Sequence, residues 1–369
     1  MNKKLTFLIA CLTATVFAQK APKVDLDRFS VFAEYQQLPI YNIPLEDRVY
    51  NVYTEIADNI SYRPDAQSIT NEIIIHGWKF SDDRPTVTVN IRMEDFIEKN
   101  VSISNRLVEE KNKEGKVIKS YKLYKAISSY TGKSNVNVAT TFTVTQETKP
   151  DQKGNNNRFL SSSSTKTANG EASFSVSQSV SIESKEFTTS YEAEKDYKLN
   201  RYNNYKLQLN SYINYLKSNV NKHLNAKFGF QPQEERFILW ILDSKEEEGQ
   251  IQKDAIEAVK TIFSEMKATT PISETEEKLQ PLIAYFESLK NKYPNDDKGS
   301  KKIRYSAYFN LGKIYYFLDQ PEKAIKEGQG LIENGYDKKD GEEIVKDSEK
   351  LMEEFKEKGF TSRHNASLN

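Results

Sequence analysis

"YSAYFNLGKIYYFLDQPEKAIKEG", residues 305–328, settles how the second half of this chain is read. Tyr308, Leu311, Gly312 and Tyr315 recur at three- and four-residue spacing, which places them on one face of a helix. "LDQPE" breaks that helix, and Ala324 opens a second apolar stripe behind the break. Two helices joined by so short a turn lie antiparallel. Gly312 and Ala324 are the small residues that would let them cross closely.

Outward from this hairpin the helical pattern continues. Upstream, residues 250–268 carry Ile251, Ala255, Ala258, Val259, Ile262, Phe263 and Met266 on one helical face. Pro271 stops that helix, and Ser273 with Glu276 has the spacing of a capping box for the next. That next helix gathers Leu279, Leu282, Ile283, Phe286 and Leu289 and closes at Pro294. Downstream, 341–359 reads as a last helix with a charged outer face, and 360–369 as a disordered tail. Gly328 and Gly330 each weaken the helix after the break by about 1 kcal/mol relative to Ala.

From about residue 24 to 243 the pattern changes to period two, the signature of strands covered on one face. "RVYNVYTEI" (48–56), "PTVTVNIRM" (85–93), "VNVATTFTVTQ" (136–146) and "ASFSVSQSVSIES" (172–184) all alternate. The Ser/Asn-rich segment 151–171 reads as a long mobile loop between two antiparallel strands. A helix follows, carrying Tyr205, Leu209, Tyr212, Ile213, Leu216, Val220 and Leu224. Phe237–Leu242 is a continuous apolar run, as expected of a strand covered on both faces. Gly77-Trp78 with Asp83-Arg84 echoes Gly229-Phe230 with Glu235-Arg236, each before a strand and after a helical segment. The echo suggests two duplicated strand–helix–strand units packed side by side. The expected fold class is therefore α+β: a mixed sheet-containing region at 19–245, then an all-α domain at 246–359.

The chain opens with Lys3 and Lys4, an apolar stretch from Leu5 to Phe17 and a small-residue cleavage pattern ending at Ala18. This reads as a signal peptide over 1–18, hence an exported protein, with the periplasm favoured over the cell surface. "LIAC" (8–11) also matches a lipobox, an alternative in which Cys11 carries a lipid anchor. Cys11 is the one cysteine, so a processed chain has no disulfide and must rely on burial. Without Lys3 and Lys4 the chain has 51 basic and 53 acidic residues, a balance that argues against nucleic acid. No later stretch has the roughly 20 apolar residues a membrane span needs.

In Tyr308, Leu311, Gly312, Tyr315 and Ala324 the chain resembles the tetratricopeptide repeat family. The likeness covers about 250–357, with 305–336 its strongest unit. It departs from the family pattern at Gly328, at Leu331 and in lacking the closing proline. The resemblance implies a short stack of helical hairpins that binds a protein or peptide on its concave face. The side chains it leaves for a partner are Tyr305, Phe309, Asn310, Lys313 and Tyr316. Asn310 and Lys313 are the better candidates, because packing does not require them.

Catalytic and cofactor patterns are missing. His76, His223 and His364 lack metal-ligand spacing. Gly132-Lys133-Ser134 has no glycine five residues upstream and precedes a strand, so it is not a phosphate loop. Ser163 to Lys166 matches a Ser-x-x-Lys spacing but lies in the low-complexity loop. No cofactor or metal is expected. The sequence supports a non-enzymatic envelope adaptor or scaffold with a protein partner, such as an envelope or outer-membrane complex. The alternative is a glycan- or peptidoglycan-binding protein using Tyr41, Tyr50 and Tyr53 of the tyrosine-rich β region. A hydrolase using two acidic side chains is a more remote reading.

Overall fold

The computed structural model describes residues 24–142, 170, 172–245 and 247–368. The segments expected to be a leader (1–18) and, nearly all of it, a loop (151–171) lie outside them. The fold is α+β, with strands in the N-terminal part and helices at the C-terminal end. The elements are β1 (Asp25–Gln37), β2 (Val49–Ile56), α1 (Ala66–Asn71), β3 (Lys79–Phe80), β4 (Val87–Lys111), β5 (Val117–Thr140), β6 (Ala172–Glu183), α2 (Ser190–Lys227) and β7 (Gln231–Asp243). Five helices follow: α3 (Glu247–Glu265), α4 (Ser273–Lys292), α5 (Lys298–Phe317), α6 (Pro321–Asn334) and α7 (Lys338–Lys358).

The chain divides into two compact units, and not at the expected boundary near 245. Unit 1 joins Met1–Asn42 to Phe230–Ser367, and unit 2 is Ile43–Gly229 with Leu368–Asn369. The helices thus do not form a domain of their own: β1 and β7 belong with them. A two-stranded ribbon is marginal by itself and needs a layer to pack on.

In unit 1, β1 and β7 pair antiparallel from Asp25↔Asp243 to Gln37↔Gln231. Val31, Ala33, Phe237 and Leu239 share a core with Ile256, Val259 and Phe263 of α3, Phe286 of α4, and Leu311 and Phe317 of α5. On the opposite face Ile238 and Trp240 pack against Tyr305, Phe309, Leu331 and Ile344. That two-sided burial is why 237–242 is uninterruptedly apolar. Within the helical layer the glycines serve close approach. A Cβ on Gly312 would lie 3.1 Å from Ile344 of α7, and one on Gly341 would lie 2.7 Å from the Gly328 carbonyl oxygen. Gly328 is therefore where α6 and α7 cross, rather than merely a weak point in α6. At α4 the expected cap differs: Ile272 is the N-cap residue, with no side-chain cap bond, and Ser273 is already helical.

The segment after Gly359, expected to be a disordered tail, is anchored in its first half, while Ala366 and Leu368 are exposed. Phe360, Arg363 and His364 are buried. Asp319, held at φ +56°, takes the Arg363 Nε at 2.6 Å and the Arg363 N–H at 2.6 Å through its two carboxylate oxygens. The guanidinium stacks over Tyr35 and Tyr316, 4.4 and 4.8 Å from the ring centroids. A buried cation needs both a counter-ion and satisfied donors, and this arrangement supplies them.

In unit 2 the sheet order is β3-β2-β4-β5-β6, with β2 parallel to β3 and β4 and the rest antiparallel. Val87, Val89, Ile91, Met93, Val136 and Val138 form its buried face. α2 runs longer than its apolar stripe predicts, because it begins at the capping box of Thr189 and Glu192. Its Tyr205 and Tyr212 join Phe96 and Tyr130 in one aromatic cluster. Gly132 sits beneath Tyr212, where a Cβ would lie 2.6 Å from the ring. The glycine of the rejected Gly-Lys-Ser triplet thus has a packing role. The suggested duplication does not hold. β4 lies in the five-stranded sheet and β7 in the ribbon of the other unit, and the helices before them differ sixfold in length.

Candidate functional site

α5 carries all five side chains predicted to meet a partner, and the structure uses three of them internally. Asn310 is fully buried. Its amide donates to the Trp240 carbonyl oxygen at 2.8 Å and accepts from the Trp240 N–H at 2.8 Å. Tyr305 and Phe309 pack edge-on or tilted against the Trp240 ring, with centroids 6.0 and 6.1 Å away, and the Tyr305 hydroxyl donates to Asp340. Burial and that carboxylate together push the Tyr305 phenol well above its ordinary range. The sequence reading of Asn310 as free of packing duties is therefore corrected: the residue is spent on the edge of β7.

The edge of a strand presents main-chain donors and acceptors that need partners when buried. Gln252 of α3 repeats what Asn310 does, accepting from the Leu242 N–H at 2.7 Å while its amide donates to Ser306 Oγ at 2.9 Å. Two buried amides thus cap alternate residues of β7. Gln252 escaped the sequence reading because a polar residue in a helical pattern defaults to the solvent face. Its place among Ile251, Ala255 and Ile256 was the one available hint.

Tyr316 is half-buried and stacks on Arg363. Lys313 lies 5.8 Å from the Phe309 ring centroid and keeps part of its surface accessible. Of the predicted set, Lys313 alone is neither buried nor tied to another segment of the chain by a hydrogen bond.

The tyrosines proposed for glycan contact separate in the same way. Tyr50 is buried and its hydroxyl donates to the Ile73 carbonyl. Tyr41 is partly buried. Tyr53 is 52 % exposed, on the sheet face opposite the apolar one. It heads a cross-strand row, Tyr53–Asn90–Asn137–Ser173, of directly paired residues. Asn51, next to it on the same face, donates to the Tyr53 hydroxyl at 2.9 Å. A row of amides and hydroxyls beside an exposed ring offers the hydrogen-bonding and stacking groups a hydroxyl-rich ligand uses.

Among the described residues no group of His, Cys, Asp and Glu is placed to hold a metal ion. One open depression is lined by Lys119, Tyr121, Lys122, Tyr124 and Thr188, with no carboxylate. His223 stacks on Phe174 at 4.1 Å, with burial and nearby Lys227 pulling its pKa down to about 4. No described helix is long and apolar enough to cross a membrane. In comparisons with known proteins, the chain matches no family model and no curated protein.

Proposed function

We propose that this chain is a non-enzymatic adaptor of the bacterial cell envelope, exported to the periplasm, that docks a protein partner through its helical unit. The observation that carries this reading is the α5 face. The Asn310 amide grips an extended strand by the main chain of Trp240, while the rings of Tyr305 and Phe309 pack against the Trp240 side chain. A helical layer that recognises extended backbone is suited to organising polypeptide segments. The leader-like N-terminus and the tetratricopeptide-like residues of 305–336 support the same reading.

Because β7 already occupies that face, the partner meets the helix surfaces left accessible around Lys313. Deleting the helices is not a clean test, since they share their core with β1 and β7. The test is co-purification from detergent-solubilised envelopes of full-length chain and of Lys313→Glu. One protein retained by the parent and depleted at least several-fold by the variant is the expected result. Equal recovery with both chains would move the docking surface elsewhere, and no stoichiometric protein with either would remove the adaptor reading.

The row beside Tyr53 favours the glycan reading as a second function of unit 2. Retardation on polysaccharide affinity gels that disappears in Tyr53→Ala is its signature; unretarded parent protein on peptidoglycan and other envelope glycans rejects it.

A further inference from the structure

In unit 2 the lane beside β5 is only partly filled. β6 pairs with β5 from Val138 to Ile127, and its line ends where Tyr124 and Phe187 exchange two main-chain hydrogen bonds of 2.8 Å. At Thr188 the chain leaves that line for the cap of α2. β5 runs on to Val117, paired there with β4 alone among the described residues. A two-stranded ribbon is marginal by itself, and this one leaves Leu107 and Ile118 56 and 64 % exposed.

In an antiparallel pair, residues alternate between turning their N–H and C=O toward the partner strand and turning them away. Tyr124 turns both groups to Phe187, away from β4, and Ala126 accepts from the Ser184 N–H on the same side. Carried down β5, the alternation turns Lys122 and Ser120 outward as well. Their main-chain groups have no hydrogen-bond partner among the described residues. The open depression lined by Lys119, Tyr121, Lys122, Tyr124 and Thr188 is this vacated lane. Four of its five residues come from both faces of one strand, as an edge requires, and the fifth is where the chain turns off. Its charge has one sign. β5 carries Lys119, Lys122, Lys125 and Lys133 and no acidic residue. Glu110 holds Lys119 at 3.6 Å, Glu183 holds Lys125 and Glu94 holds Lys133, whereas Lys122 has no carboxylate partner among the described residues.

We propose that an extended acidic segment of a partner protein adds to β5 here, antiparallel and in the line of β6. This is a second docking site, independent of the α5 face. Directly opposed residues of an antiparallel pair share a sheet face. Partner residues opposite Ser120 and Lys122 therefore exchange main-chain bonds with β5 and hold their side chains on the face of Lys122. Acidic side chains belong at those positions. The intervening partner residues lie beside Tyr121 on the other face, where a ring favours apolar neighbours. The open main chain supplies the grip and Lys122 the choice of charge. A polyanion without a peptide main chain would meet Lys122 but leave the edge open.

The test titrates the full chain into a labelled peptide of alternating glutamate and valine and follows fluorescence anisotropy. Saturable binding is expected, and none to the lysine–valine counterpart. Lys122→Glu changes an exposed side chain, so it is expected to keep the parent's circular dichroism and to weaken binding roughly tenfold. Two methylated peptides test the edge itself. N-methylation of the glutamates, whose N–H groups face β5, is expected to abolish binding, and N-methylation of the valines to leave it. A glutamate–valine peptide that never binds overturns the proposal. Equal binding of the two methylated peptides does so as well, being the result for a polyanion merely attracted to lysine. Binding unchanged in Lys122→Glu puts the peptide elsewhere and also overturns it.

Discussion

Asp319 shows how much one residue carries. It adopts a left-handed backbone conformation, ends the turn after α5, and receives the main chain and guanidinium of a residue 44 positions away. Removing one member of a buried ion pair strands the other, so Asp319→Ala is expected to cost roughly 3–5 kcal/mol in urea unfolding. A loss below 1 kcal/mol would mean that Arg363 finds water instead. His223 sets a pH dependence. Its folded-state pKa of about 4 lies below the ordinary 6.5, so the unfolded chain takes up the proton first as pH falls. The associated stability is present above about pH 6.5 and is lost as pH drops toward 4. The full difference would be worth roughly 3 kcal/mol, but the ring is only partly buried and solvent screening reduces this to about 1 kcal/mol. Urea melts of parent and His223→Gln should converge or cross between pH 7 and pH 4; parallel curves would clear His223 of the effect. Neither residue was legible beforehand. Burial of His223 depends on Phe174 across the sheet, and the place of Arg363 depends on Asp319, Tyr35 and Tyr316 converging.

At the level of elements, the period-two and period-3.6 patterns located most of the strands and every helix of the C-terminal layer. β1 was not picked out, although Phe29, Val31, Ala33 and Tyr35 alternate in it, because its other face mixes charged and apolar residues. The start of α2 was also there to read in Thr189 and Glu192. The role of Asn310 was not, since the sequence of α5 says nothing of which strand lies on it. Asn310→Ala is expected to cost about 2–4 kcal/mol by leaving two buried main-chain groups of Trp240 unmatched. Native-state hydrogen exchange should show the Trp240 amide losing protection while α4 keeps its own. At the α6–α7 crossing, alanine would gain about 1 kcal/mol in helix propensity over glycine. A Cβ at Gly341 would meet the Gly328 carbonyl at 2.7 Å, however, and backbone yields less readily than a side-chain tip. Overpacking of about 1–3 kcal/mol wins, and Gly341→Ala should lower the melting temperature. A rise would show that the helices separate at little cost.

For the whole molecule, the connectivity matters most. Unit 2 enters the chain between two strands that are hydrogen-bonded neighbours, Gln37 and Gln231 being the last pair of the ladder. Replacing residues 43–229 by a short Gly/Ser linker should therefore leave unit 1 able to fold, with a single cooperative melt and no dye-binding apolar surface. A molten product would show that unit 1 depends on unit 2. From the sequence alone come the α+β class, the sheet-forming alternations and the helical hairpins, because each rests on contacts within a few residues, where periodicity records which side is buried. Only the tertiary structure decided that β1 and β7, about 200 residues apart, form one ribbon. That ribbon turned Tyr305, Phe309 and Asn310 from candidate partner contacts into internal ones. Pairing over such a distance leaves no local period, since each strand's pattern tells which face is covered but not by what.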